Sequence, residues 1–215
     1  MTLKRNLKRF LILWSSIFYC FSSLQNGFSH LQHGYRLDRK IINVFDNYSI
    51  LDCVKECLRT ARCQSVNYHK GANICEINYE NKATGRDHYT PSYGWIYTNA
   101  IDWIRELTGV CLNSNCGTNE TCIPLPSGDH RCALSDCGVP VISGADMDSL
   151  GRWDAIGIER TMELECLGNY VKIGTGILRC TVSGQWTIDL SCDTVYGQCS
   201  VFGRNRIVEG EQMDS

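Results

Sequence analysis

Twelve of the 14 cysteines in this 215-residue chain fall into three clusters of four: Cys53, Cys57, Cys63 and Cys75, then Cys111, Cys116, Cys122 and Cys132, then Cys137, Cys166, Cys180 and Cys192. That density belongs to disulfide scaffolds of oxidising compartments rather than to cytosolic enzymes. Each cluster occupies a stretch too short to stand on apolar burial alone, so the pattern predicts several small cross-linked units in tandem. A native bridge in such a unit contributes about 2–5 kcal/mol, comparable with its whole net stability. A zinc reading of the same residues is disfavoured, because no C-x2-C pair occurs and the compartment favours disulfides.

The N-terminus supports that compartment. Lys4, Arg5, Lys8 and Arg9 precede an apolar run over residues 10–21, interrupted by Ser15 and Ser16. The run is shorter than the ~20 residues a membrane span needs, so residues 1–22 read as a secretory signal peptide cleaved after Ser22 rather than as an anchor. Its removal leaves 17 basic and 23 acidic residues, a net charge of −6. Such a balance argues against nucleic acid as a partner, and no membrane span is expected in the mature chain. Two sequons, Asn47-Tyr48-Ser49 and Asn119-Glu120-Thr121, make Asn47 and Asn119 candidate glycosylation sites.

Between residues 34 and 98 the pattern predicts one helix from Ser49 to about Thr60. Ser49 and Asp52 make a capping-box start, and Ile50, Val54 and Leu58 repeat at helical spacing. Cys53 and Cys57 then lie near the apolar stripe on adjacent turns, within reach of a sheet. Residues 63–68 and 74–77 read as a hairpin about the polar turn at Lys70, Gly71 and Asn73, with a closing strand through Tyr93, Trp95 and Tyr97. The spacing Cys53-x3-Cys57-x5-Cys63-x11-Cys75, with the helix before it and the Trp95 strand after, resembles the PAN/apple module. The resemblance implies an α+β fold, one helix on an antiparallel sheet, with Cys53 bridged to Cys75 and Cys57 to Cys63. The outer bridge of full apple domains has no counterpart here. The family binds proteins or carbohydrates, which implies an extracellular protein or glycan ligand.

Residues 99–110 carry Trp103, Ile104 and Leu107 and read as a packed linker or a short amphipathic turn. Cys111-x4-Cys116-x5-Cys122-x9-Cys132, over residues 111–132, resembles the first two thirds of an EGF-like module, implying the pairs Cys111–Cys122 and Cys116–Cys132. Thr108, Gly109 and Val110 stand where calcium-binding members carry an acidic pair, so no calcium is expected. Residues 137–192 resemble a sushi, or complement control, module through Cys137-Gly138-Val139-Pro140, the Cys166 and Cys180 positions, and Gly184-Gln185-Trp186 before Cys192. That likeness implies the pairs Cys137–Cys180 and Cys166–Cys192, Trp186 packed on the bridges, and a mostly β rod that binds proteins and spaces its neighbours. Leu190 replaces a proline usual two residues before the last cysteine.

With Cys20 in the leader, Cys199 is left without a partner, which points to an intermolecular bridge or a free thiol. Seven residues on, within the final stretch 193–215, Arg206-Ile207-Val208-Glu209-Gly210 resembles the activation junction of trypsin-like serine protease zymogens. The resemblance implies cleavage between Arg206 and Ile207, with Cys199 tethering the two products. The residues after the junction are too few for a Ser-His-Asp fold, so no catalytic residue, cofactor or metal site is expected in this chain. The sequence as a whole reads as small disulfide-rich modules in tandem: the secreted, non-catalytic region of a mosaic protease, or a stand-alone recognition or adhesion protein.

Overall fold

A computed structural model describes residues 30–194. Residues 1–29, where the signal peptide is expected, and the tail with Cys199, Arg206 and Ile207 lie outside the described residues. The N-terminal unit is a five-stranded antiparallel sheet in the order β1-β5-β3-β4-β2, built from β1 (Gln32–Leu37), β2 (Ile41–Phe45), β3 (Ser65–His69), β4 (Ile74–Asn78) and β5 (Tyr89–Asn99). One helix, α1 (Ile50–Arg59), packs on it. The Ser49 side chain caps the Asp52 amide and the Asp52 carboxylate reaches back to the Ser49 amide, so two of the orphan donors of the first turn are satisfied. The Ser49 hydroxyl also donates to Asp52 Oδ2 (2.6 Å), and that bond holds the Asp52 carboxyl below the usual carboxylate range.

Strand alternation divides the sheet into two unlike faces. Val66, Tyr68, Cys75, Ile77 and Ile96 are buried with Cys53 and Cys57 in the apolar core under α1. Cys53–Cys75 and Cys57–Cys63 fasten the helix to that face at two points. The opposite face holds Asn67, Glu76, Asn78, Trp95 and Tyr97, all buried. It is covered by the chain leaving β1: the Asn67 carboxamide accepts from the Leu37 amide (2.9 Å) and donates to the Leu37 carbonyl (2.8 Å), replacing a missing strand by one side chain.

Residues 99–110 form two short 3-10 segments, Ala100–Asp102 and Arg105–Cys111, in place of an amphipathic α-turn. Trp103 and Thr108 are buried, whereas Ile101 and Ile104 are exposed, so the apolar stripe expected there does not form. The buried Trp103 indole donates to the Thr98 hydroxyl (2.9 Å), which ties the segment to β5. A hairpin follows, β6 (Glu120–Pro124) with β7 (His130–Leu134), closed by Cys111–Cys122 and Cys116–Cys132. The C-terminal unit consists of the pair β8 (Ala145–Asp146) and β10 (Glu165–Cys166), and a three-stranded sheet of β9 (Thr161–Glu163), β11 (Tyr170–Cys180) and β12 (Trp186–Thr194). Cys137–Cys180 and Cys166–Cys192 cross-link it. Its β11–β12 register jumps between Ile173 and Ile177, where Gly174 has φ 92° and lies so close to the Asp189 carbonyl that a Cβ would stand 2.5 Å from that oxygen.

The C-terminal unit does not extend away as a spacer rod. Ile41 and Ala155 form a parallel bridge, and the Ile156 amide donates to the Ile41 carbonyl (3.1 Å), so residues 155–156 cover the outer edge of β2. Leu150, Ile156, Met162, Leu164 and Leu178 belong to the same buried cluster as Ile42 and the core beneath α1. Every described disulfide stays within one unit, but the apolar core runs between two of them.

A candidate binding surface across the units

The hairpin unit meets the end of α1 through a polar junction. The Ala61 amide donates to the Glu120 carbonyl (3.0 Å), and the Thr60 and Thr121 hydroxyls lie 3.1 Å apart. Arg62 donates through Nε to Asp136 Oδ1 (2.8 Å) and through Nη2 to Asn119. Asp136 is fully buried and also accepts from the Gly138 amide (2.8 Å) and the Ser135 hydroxyl (2.7 Å), so every lone pair direction used is filled. On the far side, His88 lies 3.0 Å from the Asp148 carboxylate and Arg39 donates to the Asp148 carbonyl (2.6 Å).

The polar face of the sheet carries the densest constellation of charge and aromatic rings. Arg36 and Glu76 are both 0% exposed and form a bidentate pair, Nε to Oε2 at 2.8 Å and Nη2 to Oε1 at 2.7 Å. Asn67 Nδ2 also donates to Glu76 (2.9 Å), and Arg36 Nη1 donates to Asp38. Burial pushes the Glu76 carboxyl up, while Arg36 and Asn67 pull it back down. The Arg36 guanidinium sits 4.6 Å from the centre of the Trp95 ring, and His69 meets that ring edge-on at 5.1 Å. His69 can pack there because residue 94 is glycine at φ 82°, where a Cβ would come within 2.8 Å of His69 Nε2. Arg152 and Trp153, on a loop of the C-terminal unit, complete the group, with the Arg152 guanidinium 5.7 Å from Trp95 and 5.4 Å from Trp153. Beside it Tyr35 stacks on Tyr89, whose hydroxyl pKa is pushed up to about 12 by burial.

Of these residues the sequence pattern singles out Trp95. Glu76 leaves one trace in the sequence, a charged residue at the centre of the β4 segment Ile-Cys-Glu-Ile-Asn, whereas Arg36 sits in the polar β1, and nothing in local pattern pairs two residues 40 positions apart. Arg152 and Trp153 lie in a loop and leave none. Away from this cluster the described residues enclose hollows, among them two. One, of about 520 Å3, lies beside the Cys57–Cys63 bridge among Leu58, Ala61, Ile101 and Trp103. The other, about 250 Å3, lies between Asn47, Tyr48, Glu56 and Arg59. Cys116, Glu120 and Cys132 come close together, but the two sulfurs are bonded to each other and leave a single carboxylate to offer a metal.

The two sequons stand in different settings. Asn47 is exposed in a turn at φ 62°. Asn119 is engaged by Arg62, and its amide nitrogen, the atom a glycan would take, lies beside Gly138. Peptide mass spectrometry of the secreted protein should therefore find glycan on Asn47 and an unmodified Asn119. Full occupancy at Asn119 in folded protein would show that the junction with Arg62 does not close as described.

A sheet with one helix cross-linked to it, followed by further cross-linked units, defines a small disulfide-rich, sheet-rich protein. The PAN domain family model matches residues 29–101, and this segment is a PAN domain, a protein- or carbohydrate-binding module of extracellular proteins. The match begins before Gly34 and runs past Thr98, in keeping with a first strand that starts at Gln32 and a last one that ends at Asn99. No curated protein matches the chain. Among the described residues no helix is long and apolar enough to cross a membrane.

Proposed function

We propose that the chain is the non-catalytic, ligand-binding region of a secreted mosaic serine protease zymogen, in which the PAN domain is followed by a truncated EGF-like module and a sushi module. The observation that carries this reading is the sequence Arg206-Ile207-Val208-Glu209-Gly210 with Cys199 seven residues upstream. Support for the module assignments comes from the bridge order. In the hairpin unit the first cysteine joins the third and the second the fourth. In the C-terminal unit the same order recurs, and the Trp186 indole donates to the Gly138 carbonyl (3.0 Å) beside the Cys137 bridge. The chain works by binding, and catalysis belongs to the protease domain that such a junction joins in a zymogen.

The test is to isolate the secreted protein from its natural source and map its termini and cross-links. After limited trypsin treatment a new N-terminus beginning Ile207-Val208-Glu209-Gly210 is expected, with the two products held together through Cys199 until reduction. A bond between Arg206 and Ile207 that resists trypsin, together with a Cys199 that carries no disulfide partner, would overturn the zymogen reading and leave a stand-alone recognition or adhesion protein.

A further inference from the structure

The loop at residues 151–154 brings a second guanidinium and a second indole to a face that already holds one of each. It is fixed by the Gly151 amide donating to Asp154 Oδ2 (2.6 Å) and the Asp154 amide donating back to the Gly151 carbonyl (3.3 Å). The two cations it brings together differ in what they have left to offer. Arg36 is buried and spends its donors on Glu76 and Asp38. Arg152 is exposed, lies against the Trp95 and Trp153 rings, and has no hydrogen-bond acceptor among the described residues. A guanidinium held near an indole by its charge does not use its N–H groups there, so Arg152 keeps donors that no acceptor among the described residues receives. Trp153 beside it is 53% exposed, a large flat apolar surface left to solvent.

The charges limit what can bind. Arg36 and Arg152 stand against Glu76 and Asp38, with the Asp154 carboxylate in the same loop, so the cluster carries no excess of positive charge. Such a cluster has no long-range pull on a polyanion. It offers a ring-sized apolar platform and a two-pronged donor, and that combination matches a sugar: the C–H face of a pyranose lies on the indole while its oxygens accept from the guanidinium. We infer that Arg152 and Trp153, seated on Trp95, form a saccharide subsite for a neutral or singly charged pyranose, present only while the C-terminal unit is docked on the PAN sheet. The inference rests on the reading of the chain as an extracellular binding protein, narrows its ligand to one kind of pyranose and adds a place outside the PAN segment.

The full chain would be titrated by tryptophan fluorescence with lactose, chitotetraose, cellotetraose, a hyaluronan tetrasaccharide and a heparin tetrasaccharide. At least one of the first four should bind, with affinity changing less than threefold between 50 and 300 mM NaCl. Arg152→Ala and Trp153→Ala should each weaken it at least tenfold, while Trp153→Phe retains most of it. Both positions are exposed, so unchanged melting and an unchanged disulfide map are expected of the variants. If heparin alone binds, with steep salt dependence, or if both alanine variants bind as the parent does, the subsite is wrong. If none of the five saccharides binds, the subsite falls, while the PAN assignment of residues 29–101 and the trypsin test of the Arg206–Ile207 junction stand apart from that result.

Discussion

Arg36→Met is expected to destabilise the protein by about 3–5 kcal/mol at neutral pH, because it leaves the Glu76 carboxylate buried without its counter-charge. Glu76 already has its carboxyl raised by desolvation, with Arg36 the main influence pulling it back. Without Arg36 it rises further. A carboxyl whose folded pKa lies above its unfolded value contributes stability that is fully present below the unfolded pKa and lost as pH rises through the folded one. The deficit of Arg36→Met should therefore be smaller at about pH 4.5, close to the ordinary glutamate value of about 4.3, than at about pH 7.5. Adding Glu76→Leu should recover much of the loss, since a buried pair replaced by apolar groups of similar volume is often neutral. Urea unfolding with disulfides intact, at both pH values, checks all three statements. Equal losses at the two pH values with no recovery in the double variant would mean that Arg36 contributes by packing on Trp95 and not as the partner of Glu76.

The second large effect is expected at the junction. Arg62→Ala removes the cation facing the fully buried Asp136 and also releases Asn119. Asp136 keeps the Gly138 amide and the Ser135 hydroxyl, and Arg62 is partly exposed, so the loss should be about 2–3 kcal/mol, below that of a fully enclosed pair. The effect should also be localised. Hydrogen exchange at the Ala61 amide, bonded to Glu120, and at the amides of β6 and β7 should accelerate more than exchange in β3 and β4. Uniform acceleration across the PAN sheet would instead show that the junction and the sheet open as one unit.

The parts of the fold legible in the sequence are those set by near neighbours. The helix is legible to its caps because Ser49 and Asp52 act on each other over one turn. The β3–β4 hairpin is legible because its turn residues interrupt two short apolar runs. The strands β1 and β2 are not, since neither carries a clean alternation: β1 includes the buried Arg36 and breaks register between His33 and Tyr35, and β2 breaks between Ile41 and Asn43. The docking of the C-terminal unit is illegible for a different reason. Leu150 and Ile156 sit in stretches without strand or helix period, and their burial is decided by packing into the cluster that holds Ile42 of β2, roughly 110 residues earlier. The candidate site inherits both difficulties, because half of it lies on irregular strands and the other half on a loop that only the docking brings near.

The separation of covalent from non-covalent order has a consequence for biosynthesis. Each group of bridges closes before the next group begins along the chain, so oxidation can proceed unit by unit as the polypeptide is delivered. The PAN domain can thus be fully cross-linked while the edge of β2 and the rings around Trp95 still await residues 150–156. During that interval it carries an uncovered strand and an open aromatic face, and a chaperone or a second nascent chain competes for the place that Ala155 and Ile156 later take.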